Sequence, residues 1–199
     1  MASLTVNDIQ DNDTAYEFAL ERLAYLIKDT LPNRKIIRAD RDMSVPVDPY
    51  ITIRPMAVSG FNPSEYGNDP FDRIEDETGN EYDLFQWKIV CDVKTYKGNA
   101  FTDMVKVRQA LKQRVKHEEF FGKYKTVGVG AVSTVANSFT PIDNQEMEAG
   151  ASTRITLHYI CKALDDSFGV IETIEGVIET IEGVIENNED TTPFSTTYS

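Results

Sequence analysis

Two histidines, two cysteines and several acidic clusters are the residues of this chain that could do chemistry. His117 is followed by Glu118 and Glu119, which would suit a general base steadied by a carboxylate. The same place, at the end of a helical pattern, is read instead as a cation set against a helix C-terminus. His158 lies mid-strand with no partner close in sequence. Cys91 and Cys161 sit in apolar alternating runs, the setting of small buried hydrophobes. They are too few for a disulfide framework and fit a reducing compartment. The acids from Glu65 to Asp83 raise the question of calcium. Their spacing lacks the fixed alternate ligand positions of an EF-hand loop, so a solvated acidic loop is expected. Asp40, Asp42, Asp48 and Glu65 could serve a carboxylate-based enzyme only if folding gathers them into one pocket. No phosphate loop, dinucleotide fingerprint, zinc-ligand spacing or G-x-S-x-G turn occurs. No catalytic, cofactor-binding or metal-binding residue is assigned on this reading, and no enzyme is expected.

One set of charges is periodic. Arg108, Lys112 and Lys116 stand four apart and would share a helical face. Lys106, Arg114, Lys123 and Lys125 lie near them in sequence. The strip is either a solvated face or a receiver for an acidic segment, such as the tail of a neighbouring copy.

Such a segment exists. The net charge is −13, and nine of the 33 acids follow Lys162, after which there is no Lys or Arg. Residues 1–162 are left with 24 acids against 20 bases, which is close to balance. A chain of this charge does not wrap DNA by neutralising phosphates. Facing DNA it would repel, which suits a passage. The N-terminus, MASLTVNDIQ, lacks the basic and apolar regions of a signal peptide, and no apolar run is long enough to span a membrane.

The elements that must position these residues follow from periodicity. With 199 residues, one domain of ordinary size is expected. Residues 1–12 read as a flexible arm. A helix is predicted from about Thr14 to Thr30, capped by Asp13, with Ala15, Phe18, Ala19, Leu23, Leu26 and Ile27 as its apolar stripe. Pro32 stops it. Ile36 to Ala39 could be a short strand. Tyr50 to Val58 alternates, and Pro55 implies an edge or a bulge. Residues 60–80 read as a long loop, either a contact loop or a solvated excursion. Tyr82 to Tyr96 is the strongest strand, its apolar face made by Phe85, Trp87, Ile89, Cys91 and Val93. A second helix is predicted from about Ala100 to Lys116, with Phe101, Met104, Val105, Leu111 and Val115 inward. A strand over Thr126 to Val135, a polar loop over 137–150 and a strand over Ser152 to Leu164 complete the body. The fold class is therefore α+β: a mainly antiparallel β-sheet with two helices packed on one face, plus an extended C-terminal tail.

That tail repeats. Residues 169–175 read GVIETIE, residues 176–182 read GVIETIE again, and residues 183–189 read GVIENNE. Ile171, Ile174, Ile178, Ile181 and Ile185 are spaced 3-4-3-4, as in a heptad seam. Gly176 and Gly183 each cost about 1 kcal/mol in a helix, and Val and Ile favour strands. As one strand, the odd period turns the apolar side over with each copy. The first copy is read as a strand completing the sheet, and the later ones as an extension ordered by neighbouring subunits. The five isoleucines, with Arg108, Lys112 and Lys116, are the interface residues expected.

Three stretches carry a family resemblance. They are YITIRPMAVSGFNP, then DETGNEYDLFQWKIVCDVKTYKGNAFTDMVKVRQAL with its aromatic-Lys-Gly turn, then DDSFGVIETIE. Over roughly Ala15 to Glu175 the chain resembles the phage neck terminator, or tail terminator, family of long-tailed bacteriophages. It departs from that family in duplicating the last motif. The resemblance implies a domain over residues 13–175 and an acidic extension over 176–199. It also implies a structural virion protein of the tail and neck, assembled in the host cytoplasm. Such a protein forms a homo-oligomeric ring, six-fold in expectation, that ends the tail tube. Its implied partners are the tail tube protein, a head-side connector or stopper protein and, in a contractile tail, the sheath protein. DNA would pass through the lumen without specific binding, and neither membrane nor cofactor is involved. Another neck adaptor, a head- or tail-completion protein, is the nearest alternative.

Overall fold

A computed structural model describes residues 5–39, 46–64, 67–143 and 146–164. Asp40, Asp42, Glu65 and the whole repeat segment, including its five isoleucines, lie outside the described residues. The α+β class is as expected, and no helix among the described residues is long and apolar enough to cross a membrane.

Helix α1 spans Asn12–Thr30. Its cap is Asp11, whose carboxylate accepts from the Thr14 amide at 2.9 Å; Asp13, expected in that role, lies in the first turn. The helix therefore starts two residues early. Ala15, Ala19, Leu20, Leu23, Leu26 and Ile27 are buried. Residues 5–11 pack on the domain through a 3-10 turn over Val6–Asp8, with Val6 and Ile9 buried. Lys162 holds this segment by donating its amide to the Gln10 carbonyl and its ammonium to the Val6 carbonyl.

Strand β1 (Lys35–Arg38) pairs in parallel with β2 (Tyr50–Gly60) over residues 50–53. Strand β2 pairs antiparallel with β6 (Glu81–Tyr96) over nearly its whole length. The register slips between Pro55 and Ala57, so Met56 is the extra residue of a bulge at the expected proline. The stretch 60–80 is not one loop. It holds the pair β3 (Pro63–Ser64) and β4 (Gly67–Asn68), and β5 (Asp72–Glu75), which pairs with the start of β6.

Helix α2 covers Ala100–Lys112 only. Gln113 is extended (ψ 121°) and separates it from α3, Arg114–His117. A wide turn over Glu118–Gly122 follows and delivers Phe121 into the core. The expected inward set changes accordingly. Ala100, Met104, Val107, Ala110 and Leu111 are buried, at i, i+4, i+7 spacing, while Phe101 is exposed. Val115, beyond the break, is 77% exposed. The stretch expected as a polar loop, 137–150, is a β-hairpin. It consists of β8 (Ala136–Asp143) and the first part of β9 (Glu146–Leu164). Strand β7 (Val127–Val132) pairs with the middle of β9.

The sheet order is β1-β2-β6-β9-β7. The Lys97 amide donates to Ala149 near one end, and the Lys162 ammonium lies over Tyr82 near the other. Strands β6 and β9 therefore run in opposite directions. Helices α1 and α2 cover one face. There Ile51, Ile53, Ile89, Cys91, Val93, Ile155 and Leu157 meet Leu23, Leu26, Ile27 and Met104, all fully buried.

A buried ion pair joins these layers. The Arg34 side chain, between α1 and β1, donates through both Nε and a terminal nitrogen to Asp103 in the first turn of α2. Its other terminal nitrogen donates to the carbonyls of Tyr96 and Lys97, each at 3.2 Å. Those carbonyls are aimed by a turn in which Lys97 and Gly98 both take positive φ. Arg34→Ala would strand a buried carboxylate, so a loss of about 3–5 kcal/mol is expected in urea unfolding. The Arg34→Ala, Asp103→Ala double variant should lose less than the sum of the two singles.

Candidate functional site

Among the described residues, the histidines and cysteines offered by sequence as chemistry are not gathered into one group. His117 stands in α3 with its ring 5.8 Å from that of Phe121. Cys91 and Cys161 are buried in the core as thiols, and burial pushes the Cys161 thiol up to about 11, far from thiolate reactivity. Among the described residues no group of acids, histidines and cysteines is disposed to hold a metal ion. Within the acidic stretch, Asp76 is engaged locally. Its carboxylate accepts from the amides of Thr78 and Asn80, from the Thr78 hydroxyl and from the Asn80 side chain. These donors hold its pKa well below the usual carboxylate range. The carboxylate thus builds the β5–β6 turn, where Gly79 takes a φ of +89°.

The cationic strip divides. Arg108 donates to the Ser133 carbonyl at 2.9 Å, tying α2 to the chain between β7 and β8. Lys116, beyond the Gln113 break, pairs with Asp29 of α1, which raises its pKa. Lys112 is exposed at the end of α2. The three are therefore not one continuous helical face.

The surfaces that remain belong to the sheet. Strand β1 accompanies β2 only as far as Ile53. At the bulge and beyond it, Met56 and Val58 are about half exposed, and Phe61 follows with similar exposure. Phe71, before β5, is exposed too. An apolar stretch on a strand with one side unaccompanied among the described residues is a place where another chain can pair.

The face turned away from the helices is polar and only half-buried. Alternation puts Thr52 and Arg54 of β2 there, cross-strand from Lys94 and Asp92 of β6. It puts Lys88 there, and Arg154, Thr156, His158, Ile160 and Lys162 of β9. Lys94 bonds Asp92 at 3.2 Å, and Lys162 is occupied by Val6 and Tyr82. Arg54, Lys88 and Arg154 have no ion-pair partner among the described residues. The face thus concentrates positive charge on a body that is nearly balanced. Sequence reasoning saw this alternation but counted only the helical cations.

His158 sits within this face. Its ring meets Phe61 edge-on at 5.6 Å, and its Nε2 lies where a Cβ on Gly130 would fall, so a side chain at Gly130 would require the imidazole to move. Its buried Nδ1 has no hydrogen-bond partner among the described residues. Burial, and then the charge of Lys88, hold its pKa below the ordinary value of 6.5. The unfolded imidazole keeps that ordinary value and takes up the proton first as pH falls. Stability from this site is therefore complete above pH 6.5 and declines as pH drops through it toward the folded value. Urea midpoints measured between pH 7.5 and 5.5 should fall, and His158→Gln should flatten that slope.

A family model described as phage neck terminator protein matches residues 19–189. That span takes in most of the domain and all three repeats. No curated protein matches the chain.

Proposed function

The chain belongs to the phage neck terminator protein family, and on that premise we propose that it forms a closed ring which ends the growing tail tube. Membership of the family makes it a structural protein of the phage neck or tail. The ring is six-fold in this reading. One rim meets the last layer of tail tube protein, and the other meets a head-side connector or stopper protein. In a contractile tail the sheath protein would be anchored there as well. DNA crosses the lumen without being read.

The observation that carries the reading is the family match over residues 19–189. The described surface supports it. The β2 segment from the bulge onward offers half-exposed Met56 and Val58 on a strand side that β1 does not reach. This suits strand-to-strand or side-chain packing between copies. The strong net negative charge suits a wall that DNA slides past. Nothing in the described geometry calls for a substrate.

Two measurements test it. Coexpression with the tail tube protein should give rings visible by electron microscopy at one end of tubes of uniform length. A protein that binds the head-side connector yet leaves tubes growing would be a neck adaptor instead. Val58→Glu should leave the monomer folded by circular dichroism. It should weaken ring formation in mass photometry by about tenfold or more, since a buried charge across an interface costs at least about 1.4 kcal/mol.

A further inference from the structure

Among the described residues, the open face of the sheet carries the cations Arg54, Lys88, Lys94, Arg154 and Lys162 on β2, β6 and β9, against Asp92 of β6 and Asp72 of β5, which pairs with Leu84. Three of the five are unpaired among the described residues. Downstream of Lys162 the chain carries nine acids and no base. Six of those acids are the repeat glutamates, Glu172 to Glu189, spaced three and four apart. The two features are electrostatic opposites, and they adjoin in sequence. Strand β9 supplies two cations of the face, the compact unit ends at Ala163, and the repeats begin six residues later.

We propose that the acidic repeat segment of one copy, residues 169–189, docks on the open sheet face of the next copy. The proposal rests on the ring reading only for the presence of that neighbour. Each copy offers one acidic segment and one cationic face. Head-to-tail pairing satisfies every segment and every face at once when a ring closes, which is what a heterologous interface requires. Two of the three cations of the helical strip expected to receive such a segment, Arg108 and Lys116, are engaged by Ser133 and Asp29. DNA is the other polyanion that could lie on this face. A chain of net charge −13 disfavours it, because the repeats would hold phosphates away while competing for the same cations.

The test uses full-length chains. One carries a photo-crosslinking residue at Ile178, and the other is distinguishable by mass. Cross-links should reach β6 or β9 of the other chain. They should fall about tenfold in 1 M salt, where charges are screened beyond about 3 Å. They should fall equally when the receiving chain carries Arg54→Glu and Arg154→Glu. Glu179→Lys with Glu182→Lys in the donor should restore them. Should the reversed face unfold, Arg54→Gln with Arg154→Gln asks the same question. Cross-links confined within one chain, cross-links to the helices, or cross-links indifferent to face charge overturn the proposal. So does loss of duplex DNA retention in the face variant with cross-linking unchanged. Rings that close without the cross-link defeat the docking and leave the ring reading standing. Cross-links between copies that never close a ring do the reverse.

Discussion

Burying a guanidinium beside a carboxylate is tolerable only when nearly every donor finds an acceptor. Arg34 meets that condition by serving two masters. Two of its nitrogens are on Asp103, and the third is on the Tyr96 and Lys97 carbonyls. The demand propagates outward. The carbonyls point the right way only because Lys97 and Gly98 adopt left-handed backbone in succession. Lys97 also spends its ammonium on the Pro46 and Val47 carbonyls, and so anchors the approach to β2. Thr95, two residues before, donates its hydroxyl to the Ala100 carbonyl at the head of α2. The end of α1, the start of β2, the end of β6 and the first turn of α2 are thus fixed at one polar knot. The apolar layers between helices and sheet supply most of the burial, but this knot sets how the helices lie across the strands.

Much of the body was legible in the sequence, for a simple physical reason. Where a strand is apolar on one face and polar on the other, period two is written plainly, as in Ile89, Cys91 and Val93 or Ile155, Leu157 and Tyr159. The helix α1 stripe was legible on the same grounds. The hairpins β5–β6 and β8–β9 were not, because strands such as Asp72–Glu75 and Ala136–Asp143 carry no apolar face to alternate. Their pairing is dictated by the long strand beside them. The end of α2 was missed because Lys112, Gln113 and Arg114 all favour helix, and only the placement of Phe121 in the core explains why the chain turns there. The Arg34–Asp103 pair spans 69 residues, and one sequence holds no sign of such a partner.

For the functional surface the balance differs. The acidic repeat and the family resemblance were visible at once, since both are matters of order along the chain. The cations facing it were visible singly and invisible as a group. Arg54, Lys88 and Arg154 come from three strands, and only strand pairing sets them side by side. The helical trio was conspicuous because its members are close in sequence. Proximity of that kind was a poor guide, since Arg108 and Lys116 hold neighbouring parts of the same domain together.

Strand β9 has 19 residues and β6 has 16, and each passes without interruption from a hairpin into the centre of the sheet. At about 3.3 Å per residue, β9 is about 60 Å of continuous backbone. A pull along such a strand loads its hydrogen bonds in shear, so that many must fail together. A pull across it would open them one after another. For a structural protein of the phage neck or tail, a long central strand is the stiffest member this fold can offer to a load along its axis.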